Sequence, residues 1–310
     1  MSAHTTPAAL GPVGGQLQRA DKRLALCAVA CDGLALKHLS AEHQADREVV
    51  HKAVHQNGLA LAHAAPELKA DHAVVLKAVA QNGDALQFAP AELRNDAFVV
   101  LEAVARSATS LRHAVRSLCK DRDFLLEAIA RNARVIWQVS SELRDDAEFV
   151  EAAVRRNGLA LQGASERLRR DRGTVLAAVD QHGHALEHAA EDLRADREVV
   201  LRAVAQRGHA FQHATLELRG DETVVLEALA LNPEARAHAS ERLRRDIDEA
   251  AATFTTRDGG ARVSFVAPAW SPLLREERKT LVKTDFGDHA DRSPHCREPV
   301  LEALERKWKR

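Results

Sequence analysis

Histidine recurs with a fixed spacing in this sequence, and its imidazole can bind metal ions or respond to pH near neutrality. The spacing is 25 residues or a multiple of it, in the column His38, His63, His113, His188, His213 and His238. Zinc ligands lie about 2 Å from the metal, whereas equivalent residues of stacked helices lie roughly 8–10 Å apart. The column therefore predicts half-buried structural histidines rather than a metal site, with a response to pH as the functional alternative.

Other side chains that bind metals lie outside this column. Cys27 and Cys31 are four residues apart, and the tail contains Asp288, His289, Asp291, His295 and Cys296. The sequence contains no glycine-rich phosphate loop and no Gly-x-Ser-x-Gly motif. We therefore expect no catalytic residue, no metal site and no cofactor. The enzyme alternative is a small catalytic or metal-binding appendage in the tail, formed by His289, His295 and Cys296.

A second column contains long polar side chains that can bind a ligand. It consists of Gln56, Gln81, Arg106, Arg131, Arg156, Gln181 and Gln206. One interpretation is structural, because cations interact favourably with the carbonyl groups at the end of a helix. The other interpretation is a binding surface. The candidate binding residues are these seven side chains together with Trp137, which lies in a repeat that departs from the common pattern.

Both columns follow from an internal repeat of 25 residues. Aspartate marks it at Asp21, Asp46, Asp71, Asp96, Asp121, Asp146, Asp171, Asp196, Asp221 and Asp246. With the aspartate as position one, positions four, five and nine are mostly apolar and position eight is alanine in nine successive repeats. This spacing is typical of one side of an α-helix. A period of this length indicates a stacked repeat architecture.

The remainder of each repeat predicts how its helices begin and end. Several first helices are followed by Asn-Gly, as at Asn57-Gly58, and a glycine in this place predicts a left-handed C-cap. A second apolar stripe, Ala60, Leu61, Ala64 and Leu68, predicts a second helix. The next aspartate then predicts an N-cap, because its carboxylate accepts hydrogen bonds from unpaired backbone N–H groups. Helices this short are marginal alone, so stacking must stabilise them.

The sequence therefore predicts an all-α fold, an α-solenoid of about nine two-helix repeats of 25 residues with a short C-terminal extension. Residues 1–20 are expected to form a flexible arm, and residues 21–250 the solenoid. Residues 251–310 are expected to form an irregular extension that ends in a short amphipathic helix. The apolar stripe of that helix is Val300, Leu301, Leu304 and Trp308.

The repeat resembles a family of bacterial and protist repeat proteins that is catalogued only as a domain of unknown function. The resemblance is carried by the pattern D-x-E-V-V-L-x-A-V-x-x-N-G-x-A-L over about Asp21 to Arg245. In that family two such units make up one domain. The resemblance implies a helical repeat fold and brings no activity, cofactor or site residue. Residues 250–310 fall outside it.

Composition narrows the class of function. The net charge is −1, and a nucleic-acid-binding domain is usually strongly basic. The sequence has no signal-peptide pattern, no long apolar run and only four cysteines, which favours a cytoplasmic protein without membrane contact. We expect a monomeric, non-catalytic scaffold that binds a protein or peptide. The remaining alternative is an RNA or acidic ligand bound by Arg106, Arg131 and Arg156, with steep salt dependence.

Overall fold

The computed structural model describes the backbone of residues 12–255 and the side chains of residues 21–249. Every regular element in this part of the chain is an α-helix or a 3-10 helix, which confirms the all-α repeat architecture. The chain divides into two compact units, residues 1–140 and residues 141–310. Each unit is described by itself. Of the extension predicted for residues 251–310, residues 251–255 continue the last helix and the remainder lies outside the described residues, as do the first eleven residues.

In the first unit, five longer α-helices each contact the next one along the chain. They are α1 (Pro12–Cys31), α2 (Arg47–Gln56), α3 (His72–Gln81), α4 (Ala97–Arg106) and α5 (Arg122–Arg131). A 3-10 helix follows each, at Gly33–His38, Gly58–His63, Gly83–Phe88, Ala108–His113 and Ala133–Gln138. Short helical turns complete the repeats, at Ala41–Gln44, Pro66–Lys69, Ala91–Arg94 and Leu118–Lys120.

The second unit has the same plan. Its longer α-helices are α6 (Ala147–Arg156), α7 (Arg172–Gln181), α8 (Arg197–Gln206), α9 (Glu222–Leu231) and α10 (Glu241–Thr255). The 3-10 helices are Gly158–Gly163, Gly183–His188, Gly208–His213 and Pro233–His238. The short α-helices are Ser141–Arg144, Glu166–Arg169, Glu191–Arg194 and Leu216–Gly220. We number the repeats from repeat 1, which begins at Asp21, to repeat 9, which begins at Asp221.

The second helix of the repeat is divided into a 3-10 helix and a short α-helix. In repeat 2 the division lies at Ala64, whose φ of −71° and ψ of 156° are extended. The next residue, Ala65, then donates its backbone N–H to the carbonyl of Gln44 in the preceding repeat, at 2.9 Å. Val115, Ala190 and Thr215 donate in the same way to Arg94, Arg169 and Arg194. The helix is interrupted because the chain pairs there with its neighbour.

The core of each unit is formed by small and branched apolar side chains from both kinds of helix. Val49, Val50, Ala53 and Val54 on α2 are fully buried, and Leu61 on the following 3-10 helix is fully buried as well. The alanine at position eight allows close packing, since α1 to α5 contact one another in sequence in the first unit and α6 to α9 do so in the second. The apolar columns of the sequence thus predict the core correctly.

The aspartate column acts as predicted in the interior repeats. The side chains of Asp46, Asp71, Asp96, Asp121, Asp146, Asp171, Asp196 and Asp221 each accept a hydrogen bond from the first turn of the next α-helix. In α5, for example, Asp121 accepts from the backbone N–H of Asp123 at 3.0 Å and from that of Phe124 at 3.1 Å.

Replacement of a capping aspartate should destabilise the protein by a moderate amount. We expect Asp121→Ala to lower the free energy of unfolding by about 1 kcal/mol, because two backbone donors lose their acceptor. The matched control is Asp21→Ala, which changes the same column where no helix begins and should cost less than about 0.5 kcal/mol. Urea unfolding followed by circular dichroism measures both. Equal losses in the two variants would show that capping does not explain the column.

The two ends of the aspartate column differ from the prediction. Helix α1 begins at Pro12, so Asp21 lies inside it, and residues 12–20 are helical rather than part of a flexible arm. Proline at the first helical position fits this start. Asp246 likewise lies inside α10 and not at its beginning. In these two places the preceding residues continue the helix, so the aspartate has no first turn to cap.

The predicted role of the Asn-Gly pairs is wrong. None of the glycines in the described part of the chain has the left-handed backbone conformation. A Cβ added to Gly58 would instead lie 2.3 Å from the carbonyl oxygen of Ala78 in the next repeat. Asn57 ends α2 and also caps the following 3-10 helix, because its Oδ1 accepts from Leu59 N–H at 3.0 Å. The pair combines a cap with a close contact between repeats.

Candidate functional site

The seven long polar side chains predicted to bind a ligand are all exposed in the structure. Each ends, or nearly ends, a longer α-helix, in the order Gln56, Gln81, Arg106, Arg131, Arg156, Gln181 and Gln206. Gln56 to Arg131 lie in the first unit and Arg156 to Gln206 in the second. The sequence therefore places these residues correctly at helix ends. Their part in binding stays a prediction.

The first two glutamines of the column also connect neighbouring repeats. Gln56 Oε1 accepts from the backbone N–H of Gly33 at 2.7 Å, and its Nε2 donates to the carbonyl of Cys31 at 3.4 Å. Gln81 repeats this geometry with Gly58 at 2.5 Å and with the carbonyl of Gln56 at 3.3 Å. Both amides therefore satisfy backbone groups at the end of the preceding helix. Sequence reasoning assigned no such contact to the column.

Arginine in the same column has different partners. The Nε of Arg131 lies 3.4 Å from Glu127 Oε1, one turn earlier on α5, with a third of the arginine side chain exposed. Arg106 and Arg156 end α4 and α6, where a cation interacts favourably with the helix dipole. Trp137, in the 3-10 helix after α5, has 53% of its surface exposed. The first unit thus presents arginine and tryptophan to solvent.

The histidine column contains an arrangement that its spacing did not predict. The second residue of one 3-10 helix is a histidine, and its ring contacts the histidine that ends the 3-10 helix of the next repeat. The ring centres of His184 and His213 are 5.9 Å apart, and those of His209 and His238 are 5.2 Å apart. His182 adds a third ring, 5.7 Å from His184. No sequence period reveals these contacts, because they join two different positions of the repeat.

This histidine cluster, defined as His182, His184, His188, His209, His213 and His238, faces both acidic and basic groups. Glu187 Oε2 lies 4.0 Å from His213 Nε2, and Glu234 Oε2 lies 3.2 Å from His209 Nδ1. Arg169, Arg194, Arg207, Arg219 and Arg244 are the neighbouring cations. Within residues 21–249, no group of three or more histidine, cysteine, aspartate or glutamate side chains is positioned to hold a metal ion.

Burial favours the neutral form of several imidazoles in the cluster. It lowers the pKa of His182, His188, His213 and His238 below the usual value of 6.5, and nearby arginines lower the pKa further. Glu187 opposes this shift at His188 and His213. His182 Nδ1, His184 Nδ1 and His238 Nε2 are buried without a hydrogen-bond partner. A proton added to His182 Nδ1 or His238 Nε2 therefore lacks a ready acceptor.

We predict that the second unit loses stability as the pH falls below about 6.5. The unfolded chain binds protons there more readily than the folded chain, since the folded pKa values are lowered. Hydrogen exchange at pH 7.5 and 5.5, corrected for the intrinsic rate, should show a larger loss of protection in residues 141–249 than in residues 21–140. In the first unit, burial lowers the pKa of His113, which lies in a 3-10 helix without a second histidine. Equal losses in both units would contradict the prediction.

The remaining candidate metal-binding and catalytic residues lie either on α1 or outside the described residues. Cys27 and Cys31 are both exposed free thiols on α1. The catalytic alternative formed by His289, His295 and Cys296 lies outside the described residues, as does the amphipathic helix predicted at 298–310. In the part of the chain that is described, no helix is both long enough and apolar enough to cross a membrane.

Comparison with known proteins gives one family. A family model described as "Domain of unknown function (DUF4116)" matches six times, over residues 21–69, 71–114, 98–144, 146–194, 171–219 and 196–244. Each match spans about two repeats, and three of the five successive pairs of matches overlap, as expected when one unit recurs with a constant period. No curated protein and no solved structure matches the chain.

Proposed function

The chain belongs to the DUF4116 family, and on that premise we propose that it is a non-catalytic module that binds a protein or peptide along its repeat surface. The observation that carries the proposal is the contrast between positions within the repeat. Position eight is alanine in all nine repeats, whereas position eleven is exposed in repeats 2 to 8 and is either glutamine or arginine there. Variation at an exposed position suits the recognition of a particular partner.

The types of side chain support a protein partner. Arginine and tryptophan are enriched among the residues that contribute most to protein interfaces. The first unit presents Arg106, Arg131 and Trp137, all of them exposed. Gln56 and Gln81 direct their amides to the preceding repeat, so the arginines are the members of the column best suited to contact a ligand.

The charge of the chain supports the same choice. A net charge of −1 gives little general attraction for a polyanion, and nucleic-acid-binding domains are usually strongly basic. Several cations also have acidic partners, such as the exposed Arg155 with Glu151 at 2.6 Å and the half-buried Arg202 with Asp180 at 3.1 Å. A protein or peptide with carboxylates at separate positions therefore fits this surface better than RNA does.

The test removes the three arginines together. Glutamine occurs naturally in the column, so Arg106→Gln/Arg131→Gln/Arg156→Gln should fold, with a loss of stability of about 0.3–1 kcal/mol for each helix end. We expect the partner captured by the unaltered chain, identified by cross-linking and mass spectrometry, to be lost from the triple variant. Capture that weakens steeply as salt rises would instead indicate a phosphate-rich ligand.

A matched control distinguishes the loss of these three arginines from the loss of positive charge elsewhere on the surface. Arg170, Arg242 and Arg245 are exposed and lie outside the column, so Arg170→Gln/Arg242→Gln/Arg245→Gln removes the same charge. This control variant should retain the partner. Retention of the partner by both triple variants would overturn the assignment of binding to the column.

A further inference from the structure

One column of arginines in the second unit lies half-buried at or next to the ends of the short α-helices. Its members are Arg169, Arg194 and Arg219, at position 24 of repeats 6, 7 and 8. Within the part of the chain that the structure describes, none of the three forms an ion pair with a carboxylate. A guanidinium stays charged in a protein, so each of these side chains is a cation without a counter-charge.

Neighbouring arginines of the same unit show that carboxylates are not scarce there. Arg167 and Arg170 lie beside Arg169 in the sequence, and they pair with Asp145 at 3.2 Å and with Glu166 at 3.0 Å. Residues 141–249 contain 22 aspartates and glutamates, 16 arginines and no lysine. The column at position 24 is therefore without acidic partners in a unit that has acidic groups in excess.

The column also has hydrogen-bond donors that lack acceptors. The Nε atoms of Arg169 and Arg194 are buried without a hydrogen-bond partner, whereas Arg219 Nε donates to the carbonyl of His238 in the next repeat at 2.6 Å. A buried donor without an acceptor destabilises the fold, and more so when the group is charged. The planar fork of donors on a guanidinium matches the two oxygens of a carboxylate. An anionic ligand would therefore supply acceptors that the fold itself does not provide.

Each arginine of the column is close to the histidine that ends the 3-10 helix of the following repeat. We call the three pairs the arginine–histidine row: Arg169 with His188, Arg194 with His213, and Arg219 with His238. Burial is the largest cause of the lowered pKa of these imidazoles, and the paired arginine lowers each pKa further. The other charged or titratable groups that face the three imidazoles are Glu187, His184, His209 and Arg244.

The spacing of the row suits an extended peptide. Equivalent residues of stacked helices lie roughly 8–10 Å apart. A peptide in the polyproline II conformation has three residues per turn and advances about 3.1 Å per residue, so every third side chain points the same way after about 9 Å. A peptide with a carboxylate at every third position therefore places one carboxylate opposite each arginine of the row.

We propose that the arginine–histidine row binds an acidic peptide in this conformation, with aspartate or glutamate at every third position. The excess of acidic groups in the second unit favours such a peptide over RNA, whose backbone carries a charge at every nucleotide. The row shares no residue with the column from Gln56 to Gln206, so this site goes beyond the function proposed above and is tested separately.

Fluorescence anisotropy with a labelled peptide of four Glu-Pro-Pro units measures the binding. Arg169→Gln/Arg194→Gln/Arg219→Gln in the full chain should weaken it at least about tenfold, because charge-assisted hydrogen bonds are lost in three repeats. The matched control, Arg167→Gln/Arg170→Gln/Arg242→Gln, removes three arginines that already have carboxylate partners and should change the affinity by less than about twofold. A peptide of the same composition with its glutamates adjacent to one another should bind more weakly to the unaltered chain.

Measurements on the unaltered chain keep the proposal testable if the variant of the row does not fold. A titration followed by nuclear magnetic resonance should show that the Glu-Pro-Pro peptide raises the pKa of His188, His213 and His238, because bound carboxylates favour the protonated imidazole. The peptide should accordingly bind at least about threefold more tightly at pH 6 than at pH 8.

Four results would overturn the proposal. They are the absence of peptide binding by the unaltered chain, equal losses in the row variant and its matched control, unchanged histidine pKa values in the bound state, and equal or tighter binding of the peptide with adjacent glutamates. Binding of oligouridylate through the same arginines, without binding of the peptide, would overturn it in favour of RNA. Failure of the earlier proposal is a separate result, since Arg106→Gln/Arg131→Gln/Arg156→Gln should bind this peptide as the unaltered chain does.

Discussion

Leu186→Ala is expected to lower the free energy of unfolding by about 3 kcal/mol, within the range observed for buried leucine. Leu186 is fully buried in the 3-10 helix Gly183–His188, which contacts both α7 and α8. Removal of its side chain leaves a cavity between two repeats that rigid helices cannot close. The structure thus predicts that the 3-10 helices, despite their short length, contribute to the stability of the core.

The control is a leucine-to-alanine substitution at an exposed position in the same unit. Leu216 has 79% of its surface exposed, so Leu216→Ala should change the free energy of unfolding by less than about 0.5 kcal/mol. Urea unfolding by circular dichroism gives both values, with an unchanged dependence on urea as evidence that the comparison is valid. Similar losses for the two variants would mean that the repeats do not pack along the 3-10 helices.

Gly158→Ala is expected to destabilise the protein by about 2 kcal/mol, as overpacking of a filled contact does. The added Cβ would lie 2.3 Å from the carbonyl oxygen of Ala178 in the next repeat, and backbone atoms cannot rotate away. Ala108 and Ala133 occupy the equivalent place in repeats 4 and 5, so the fold can make room for a methyl group there. The expected result is therefore a folded protein with a lower midpoint of unfolding.

The same substitution at Gly173, 15 residues later in the sequence, is expected to have the opposite effect on stability. It lies inside α7, and a Cβ there would lie no closer than 3.4 Å to its nearest neighbour, Asp171 Oδ2. Gly173→Ala should raise stability by about 0.4–1 kcal/mol, because alanine favours the helix and restricts the unfolded chain. The thermal midpoints of the two variants should therefore move in opposite directions. A loss of similar size in both would show that close contact is not the reason for glycine at position 158.

Several features of the fold can be predicted from the sequence because they are local. The apolar residues at positions four, five and nine identify the buried side of each α-helix, as Val49, Val50 and Val54 illustrate. The aspartate before each interior α-helix identifies its start, since an N-cap needs only a side chain and the next two or three N–H groups. Exposure of Arg106 and Arg131 at helix ends follows from the same spacing.

Other features depended on which atoms of one repeat meet which atoms of the next. The glycine of Asn-Gly is favoured by its close contact with the carbonyl of the following repeat and not by its own backbone angles. Gln56 joins the carbonyl of Cys31 to the N–H of Gly33. The histidine cluster pairs two positions of the repeat, and no sequence period marks that pair.

The sequence by itself determined the period, which is visible in residues 25 positions apart. It also determined the helical class and the interior caps, because these rest on residues within one or two turns of one another. The tertiary structure decided the close contacts at glycine, the glutamine hydrogen bonds and the contacts among imidazoles. These depend on the shift and rotation between successive repeats, which the close packing of the alanine, valine and leucine side chains sets. A sequence period gives the order of the repeats, whereas only packing gives the distances between them.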